Sequence, residues 1–206
     1  MTTLDLPVPT APSRSGCPSV PAPRAAPVRL HLPGRTLLLV AGMPGAGKST
    51  LLAGLRARSG LAVLDSDTHR AALARRFPGL AYARYRPLVH LLHRLALVRA
   101  AFSTTRTVVV HLPATSTVLR SAVALVAAMT GRTAHLLWLH VDPGDARRGQ
   151  HDRGRVVPSR SFAGHARRAA GTDGRLLRRR PAGFCGTTVL DRTQSRAGLV
   201  LDTRTP

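Results

Sequence analysis

The single lysine of this 206-residue chain, Lys48, lies in the segment Gly42-Met43-Pro44-Gly45-Ala46-Gly47-Lys48-Ser49. The segment fits the phosphate-cradling pattern G-x-x-x-x-G-K-[ST] without a mismatch. Its glycines let backbone N–H groups turn toward phosphate, and lysine supplies a slim point charge where a broad guanidinium would not fit. Ser49 would offer its hydroxyl to Mg²⁺. We therefore expect residues 42 to 50, ending at Thr50, to hold the triphosphate of ATP together with Mg²⁺.

A second candidate site follows a short apolar run, Leu61 to Leu64, that ends in Asp65-Ser66-Asp67-Thr68-His69-Arg70. Because the carboxyl ends of parallel strands meet at one crevice, these carboxylates are expected to face the glycine loop. Asp67 is assigned as the base for a substrate hydroxyl and as a water-mediated Mg²⁺ ligand, with Asp65 as second choice. Arg70 is assigned as a contact for a substrate anion. Alternatively, Asp67 or Ser66 only caps a helix that begins near Thr68.

The most basic stretch of the chain follows the predicted strand Ala134–Val141 and its turn Asp142-Pro143-Gly144. Eleven arginines and two aspartates lie between Arg147 and Arg180. A lid of this composition could close over the triphosphate and neutralise the transferred phosphoryl group. This role is assigned to Arg148, Arg153 and Arg155, and a solvated charged loop is the alternative.

Three other positions bear on the chemistry. The predicted strand Thr107–Val110 ends in His111, where many ATPases with this loop carry an aspartate for Mg²⁺. Since the chain contains no glutamate, the usual group for polarising an attacking water is missing, which favours transfer to a bound acceptor over hydrolysis. Arg120, on the next predicted helix, either faces substrate or is exposed. Arg192, after the predicted strand Thr187–Asp191, is expected to border the adenine.

Alternating strands and helices must position these groups. Thr36–Ala41 is a continuous apolar run typical of a strand buried on both faces, and Ser49–Arg58 has leucines at helical spacing before Gly60. Apolar residues at helical spacing also predict a core-packed helix over Pro87–Ser103, in which His90 and His93 are surface or packing histidines. The residues expected to face the core are Leu88, Leu91, Leu92, Leu95, Val98 and Phe102. The order predicts an α/β fold of three layers, with a parallel sheet of about five strands, right-handed crossovers and a basic lid.

Composition sets the remaining expectations. Residues 1–33 contain eight prolines and few large apolar side chains, so they are expected to form a disordered tail before a single domain at residues 34–206. The net charge of +22 suits a nucleic-acid partner, yet the lack of Asn, Ile and Glu indicates biased coding, so an acidic small substrate or a solvated basic face competes. Two distant cysteines, no apolar run of about 18 residues and no signal peptide predict a cytoplasmic protein without a membrane partner.

Taken together, Gly42–Thr50, the Asp65–Arg70 segment and the arginine-rich lid resemble the zeta-toxin-like and AAA-labelled small P-loop kinases. That group looks similar to chloramphenicol phosphotransferase, adenylylsulfate kinase and the polynucleotide 5'-kinase domain, and Gly149–Pro158 resembles the lid of bacterial ATP-binding proteins of this type. The resemblance covers residues 36 to about 192. It implies the P-loop NTPase fold, phosphate and metal roles for Lys48 and Ser49, the base role for Asp67 and the transition-state role for the lid arginines.

These residues predict an ATP·Mg²⁺-dependent kinase that phosphorylates a hydroxyl of a small-molecule or nucleotide acceptor. One alternative is a polynucleotide 5'-kinase, which the basic surface suits but which seven aromatic residues without an evident stacking platform do not favour. The other is a regulatory module that binds ATP and passes a change of shape to a partner.

Overall fold

The computed structural model describes residues 26–32, 34–55, 60–113, 116–152, 154, 157–176 and 178–203. The strands of this part of the chain are β1 (Val28–His31), β2 (Thr36–Gly42), β3 (Leu61–Leu64), β4 (Thr107–His111), β5 (Thr133–Leu139), β6 (Gly186–Leu190) and β7 (Leu199–Asp202). The helices are α1 (Lys48–Ala53), α2 (Ser66–Arg76), α3 (Tyr82–Phe102), α4 (Thr117–Met129), α5 (Pro143–His151), α6 (Ser159–Leu176) and α7 (Arg192–Ala197). None of the helices described is long and apolar enough to cross a membrane.

The centre of the molecule is a parallel sheet of five strands in the order β3-β4-β2-β5-β6. Every residue of β2 is buried, as its unbroken apolar run predicts. The connection from β2 to β3 runs toward one edge of the sheet. The connections from β3 to β4, from β4 to β5 and from β5 to β6 all run toward the opposite edge. With right-handed crossovers, α1 therefore lies on one face of the sheet, and α3, α4 and α6 lie on the other. The predicted three-layer α/β fold is confirmed.

The predicted tail ends earlier than residue 33. Val28–His31 forms β1, which pairs in parallel with β7 from Leu199 to Asp202. Leu30 and Leu32 are buried in the core, because a strand partner close to the end of the chain gives this short segment both hydrogen bonds and apolar contacts. Residues 1–25 lie outside the described part of the chain.

Helix α3 turns a different face to the core from the predicted one. Its buried residues are Tyr85, Val89, His93, Leu97 and Ala101. The expected core residues Leu88, Leu91, Leu95, Val98 and Phe102 are exposed. Both sets recur at helical spacing, so the local pattern does not determine which face of α3 packs on the sheet.

A buried arginine fixes the end of α3. The guanidinium of Arg132 donates to the carbonyl oxygens of Ala101, Ser103, Thr105 and Arg106 at 2.7–3.1 Å. These carbonyls belong to the last turn of α3 and to the loop into β4, where the helix has no partners of its own. Arg132 thereby holds α3, and the strand that follows it, against the sheet.

Candidate functional site

The glycine loop joins β2 to α1 and wraps around the one lysine. Gly42, Gly45 and Gly47 have φ angles of 144°, 89° and 94°, a region that favours glycine. Lys48 is buried, and its Nζ donates to the carbonyl oxygens of Gly42 and Met43 at 2.9 and 2.6 Å. The ammonium is therefore held inside the loop, beside the N-terminus of α1 where backbone N–H groups attract an anion. Ser49 is half-buried one residue later, and Thr50 is exposed.

Helix α5 packs directly on this loop. A Cβ built on Gly45 would overlap the carbonyl oxygen of Ala146, and one on Gly149 would lie 2.6 Å from the carbonyl oxygen of Gly45. Gln150 is buried and clamps two segments: its Nε2 donates to the carbonyl oxygen of Pro44 at 3.1 Å, and its Oε1 accepts from the N–H of Val157 at 2.8 Å. The sequence analysis assigned no role to Gln150, because no motif marks a lone glutamine as the contact between the glycine loop and the segment that follows α5.

A pocket of about 160 Å³ opens beside the loop. Its lining residues are Gly45, Ala46, Gly47, Thr50, Gly149, Asp152, Arg192, Ser195 and Arg196. Arg192 begins α7 and donates from Nη1 to the carbonyl oxygen of Asp145 at 2.8 Å, which ties α7 to α5. The structure thus brings Arg192 to the glycine loop together with three residues that the sequence did not suggest, namely Asp152, Ser195 and Arg196.

The two candidate carboxylates differ sharply in their surroundings. The side chain of Asp65 is 2 % exposed, caps α2 by accepting the N–H of Asp67 at 3.1 Å, and pairs with Nδ1 of His111 at 3.1 Å. Asp67 is half-buried on the first turn of α2. The helix therefore begins at Ser66 rather than near Thr68, and its cap is Asp65, neither Asp67 nor Ser66. Burial and this double engagement give Asp65 a structural task that conflicts with its predicted contact to substrate.

His111 lies at the end of β4, within electrostatic range of Lys48 in the glycine loop and of Asp65 and Asp67 at the start of α2. Burial lowers the pKa of its imidazole, while the hydrogen bond that the ring donates to Asp65 acts in the opposite direction. The charge of Lys48 lowers this pKa as well, and the charge of Asp67 raises it, so Lys48 and Asp67 both lie within electrostatic range of His111. The carboxyl ends of β2, β3 and β4 therefore place Lys48, Asp65 and the first turn of α2 around His111, as the parallel sheet predicts.

A second histidine, His93 of α3, contacts the backbone of His111. Nε2 of the buried His93 lies 2.9 Å from the carbonyl oxygen of His111, and the ring of His69 meets that of His93 edge to face at 5.8 Å. Burial is the largest cause that lowers the pKa of His93. His93 is thus a packing histidine of α3, one of the two outcomes expected for it, and His90 is half-buried with its Nε2 accepting from Arg86.

The remaining predicted arginines fall in different places. Arg70 is half-buried with its guanidinium 4.5 Å from the ring centre of Tyr82. Arg120 is buried and donates to the hydroxyl of Thr117 at 3.2 Å, so it is not the exposed arginine that was one of its two expectations, and its contact with substrate stays a prediction. Arg148 is largely exposed and forms an ion pair with Asp145 on its own helix. Arg153 and Arg155 lie outside the described residues, so their lid role stays a prediction.

The residues present fit Mg²⁺ better than a metal that prefers a protein cage. No group of three or more His, Cys, Asp or Glu side chains that could hold a metal is found in the described ranges. Mg²⁺ does not need one, because it keeps several waters and uses one or two protein oxygens together with substrate phosphates. The hydroxyl of Ser49 and the carboxylate of Asp67 are oxygen ligands of that kind.

Comparisons with known proteins agree with this architecture. Three solved structures are similar in fold. A chain from the PezAT chromosomal toxin–antitoxin system of Streptococcus pneumoniae has a TM-score of 0.55 and 13% identity, over 78% of this chain and 68% of that one. A presumed kinase from Chloroflexus aurantiacus has a TM-score of 0.53 and 18% identity, over 77% and 86%. A chain of the Pnkp1/Rnl/Hen1 RNA repair complex has a TM-score of 0.55 and 16% identity, over 71% and 47%.

Sequence comparison gives the family. No curated protein matches the chain. The family model described as the AAA domain matches residues 37–174, which span the glycine loop, the Asp65–Arg70 segment and α6. This match confirms the resemblance inferred from the motifs. The chain belongs to the AAA domain family and has the fold of a small P-loop kinase-like NTPase.

Proposed function

We propose that this protein transfers the γ-phosphoryl group of ATP to a hydroxyl of a small-molecule or nucleotide acceptor. The observation that carries the proposal is that Lys48 of the glycine loop and Asp67 on the first turn of α2 both lie near enough to His111 for their charges to act on it. Phosphoryl transfer to an alcohol requires a phosphate-binding loop near a carboxylate that accepts a proton, and the glycine loop with Asp67 would supply both. The fold similarity to a presumed kinase supports the same class.

The roles of the residues follow from their positions. The loop N–H groups and Lys48 would bind the β- and γ-phosphates, and Ser49 with Asp67 would hold Mg²⁺, which neutralises phosphate charge when it is bound. Asp67 would accept the acceptor proton as the acceptor oxygen bonds to the γ-phosphorus and the bond from that phosphorus to the bridging oxygen of ADP breaks. Arg70 lies one helical turn beyond Asp67, where it would contact an anionic part of the acceptor.

A polynucleotide acceptor is the second candidate. The net charge of +22 and the fold similarity to a chain of an RNA repair complex favour it. A 5'-hydroxyl oligonucleotide should then be phosphorylated with a strong dependence on salt, because each phosphate contact releases a counterion. A 5'-phosphorylated oligonucleotide of the same sequence is the matched negative substrate.

The test is Mg²⁺-dependent release of ADP with a fractionated metabolite extract or oligonucleotides as acceptor. The wild type is compared with Lys48→Ala and Asp67→Asn, and Asp202→Asn on the exposed edge of β7 serves as the matched control. Acceptor-dependent release that the first two variants abolish and the control retains supports a kinase. Tight ATP binding without acceptor-dependent release would contradict the proposal and favour a regulatory nucleotide-binding module.

A further inference from the structure

The outer face of α3 carries an apolar stripe that nothing in the proposed reaction uses. Its members are Leu88, Leu91, Leu95, Val98 and Phe102, with exposed fractions of 39%, 53%, 56%, 40% and 64%. We call this set the α3 stripe. The set recurs at intervals of three, four, three and four residues, the spacing of the a and d positions of a coiled coil. The buried residues of α3, centred on His93, lie on the opposite side of the helix, so the stripe points straight away from the sheet.

The stripe is too large to be incidental. Taking about 200 Å² for one fully exposed side chain of this size, it presents about 500 Å² of apolar surface. Helix α4 lies on the same face of the sheet in contact with α3, and it exposes Val118, Leu125 and Met129 at 79%, 61% and 68%. The two rows together reach about 900 Å², which is the area that one partner contributes to a stable interface and more than a typical monomer exposes in one patch.

Charge decides which kind of partner fits. The only charged residues of α3 are Arg84, Arg86, Arg94 and Arg99. On the heptad of the stripe, Arg94 and Arg99 take the g and e positions that flank the seam, and Arg84 continues the stripe at its N-terminal end. A second copy of this helix would place arginine against arginine, which is unfavourable at positions that govern pairing. The N-terminal segment of this chain fits no better, since residues 1–25 contain Arg14 and Arg24 against the single acid Asp5.

We propose that the α3 stripe docks an amphipathic helix of another protein, with apolar residues at heptad spacing and Asp or Glu at the flanking positions. The apolar seam would supply the contact area, and the acidic flanks would pair with Arg94 and Arg99. The stripe contains none of the residues assigned to the reaction proposed above, so the two proposals can be tested independently.

The test uses the full chain and a synthetic helix of 21 residues with Leu at a and d and Glu at e and g. Fluorescence anisotropy should show saturable binding in the micromolar range. Leu91→Gln/Leu95→Gln and Arg94→Gln/Arg99→Gln should each weaken it by about tenfold or more, as should replacing Glu by Lys in the peptide. Phe77→Gln, at the exposed end of α2 and outside the stripe, is the matched control and should bind like the wild type. Unchanged circular dichroism of each variant shows that folding is intact.

Three outcomes would overturn the proposal. The first is no binding of the acidic peptide up to about 100 µM. The second is a dimer in light scattering that Leu91→Gln/Leu95→Gln converts to a monomer, which would assign the stripe to a second copy of the chain. The third is binding to phosphatidylglycerol vesicles that competes with the peptide and needs the same leucines, which would assign the stripe to an anionic membrane surface.

Discussion

Replacing His111 tests whether the end of β4 holds the start of α2. In His111→Leu the imidazole is lost, but an apolar side chain of similar size fills the space at the end of β4. Asp65 then retains its bond from the N–H of Asp67 and loses the bond from Nδ1 at 3.1 Å. His111→Asn keeps an N–H donor close to the position of Nδ1, so the pair of variants separates the hydrogen bond from the shape of the side chain.

The expected size follows from the burial of Asp65. A hydrogen bond to a charged group contributes about 1.5–3 kcal/mol, and a carboxylate that is 2 % exposed has no water to replace the lost donor. We expect His111→Leu to lower the free energy of unfolding by about 2 kcal/mol, or the Tm by about 4–8 °C in a domain of this size. His111→Asn should lose less than about 1 kcal/mol.

Urea and thermal unfolding without nucleotide measure this difference, and turnover measures its consequence. Because Asp65 caps the helix that carries Asp67, His111→Leu should lower kcat for the acceptor reaction and leave the KM for ATP unchanged, and His111→Asn should restore kcat. Equal losses of stability in the two variants would refute the reasoning, since the donor would then contribute nothing beyond packing.

Three further predictions concern the packing of the glycine loop, the hydrogen bonds of Arg132 and the buried histidines. Gly45→Ala should lose markedly more stability than Gly47→Ala in urea unfolding, because both have positive φ but only a Cβ on Gly45 meets the carbonyl oxygen of α5; equal losses would contradict the close packing. Arg132→Lys should lower the free energy of unfolding by about 3 kcal/mol, since an ammonium cannot serve the five carbonyls that the guanidinium reaches, and a loss below about 1 kcal/mol would show that these hydrogen bonds are unimportant. Burial lowers the pKa of His93 and His111 in the folded state, so the unfolded chain binds more protons near pH 6.5. The free energy of unfolding should therefore fall as the pH drops from about 7.5 to 5.5, with a weaker fall in His93→Gln; a constant value would contradict it.

The parts of the site that the sequence predicted are those fixed by local patterns. The glycine loop is contiguous in sequence and lies between an apolar strand and a helix, and each of these features is visible within about fifteen residues. The Asp65–Arg70 segment was placed correctly at the crevice because strand order and the parallel sheet suffice for that. Confirmation of the five-stranded sheet rests on the same regularity.

The errors arise where two local patterns compete or where partners are distant. The sequence of α3 contains two rows of residues at helical spacing. The row richer in leucine is the more hydrophobic and was predicted to face the core, but the sheet buries the row around His93. Asp65 and His111 are 46 residues apart, so the sequence could not show that the carboxylate is already engaged. The pairing of β1 with β7 joins the two ends of the domain and was hidden for the same reason.

The acidic residues of the chain narrow the choice of catalytic base. Nine aspartates are the only acids, and most of those described are engaged in structural contacts. Asp65, Asp142 and Asp191 cap helices, Asp145 pairs with Arg148 and Arg192, Asp173 holds Trp138 and His140, and Asp202 lies near His31. Asp67 lies at the crevice and Asp152 lies in the pocket beside the glycine loop, so their positions make both of them candidates for the base.

These two carboxylates predict different kinetic results. In the proposed reaction Asp67 accepts the proton of the acceptor, whereas Asp152 lines the pocket with Arg192 and Arg196 on the side of α7. Asp67→Asn should therefore lower kcat by a factor of about 100 or more with little change in ATP affinity, the range expected for loss of a general base. Asp152→Asn should change the KM for ATP and largely preserve kcat. If Asp152→Asn abolished turnover while Asp67→Asn preserved it, the base would lie in the pocket, and the acceptor would have to enter from α7 rather than from α2.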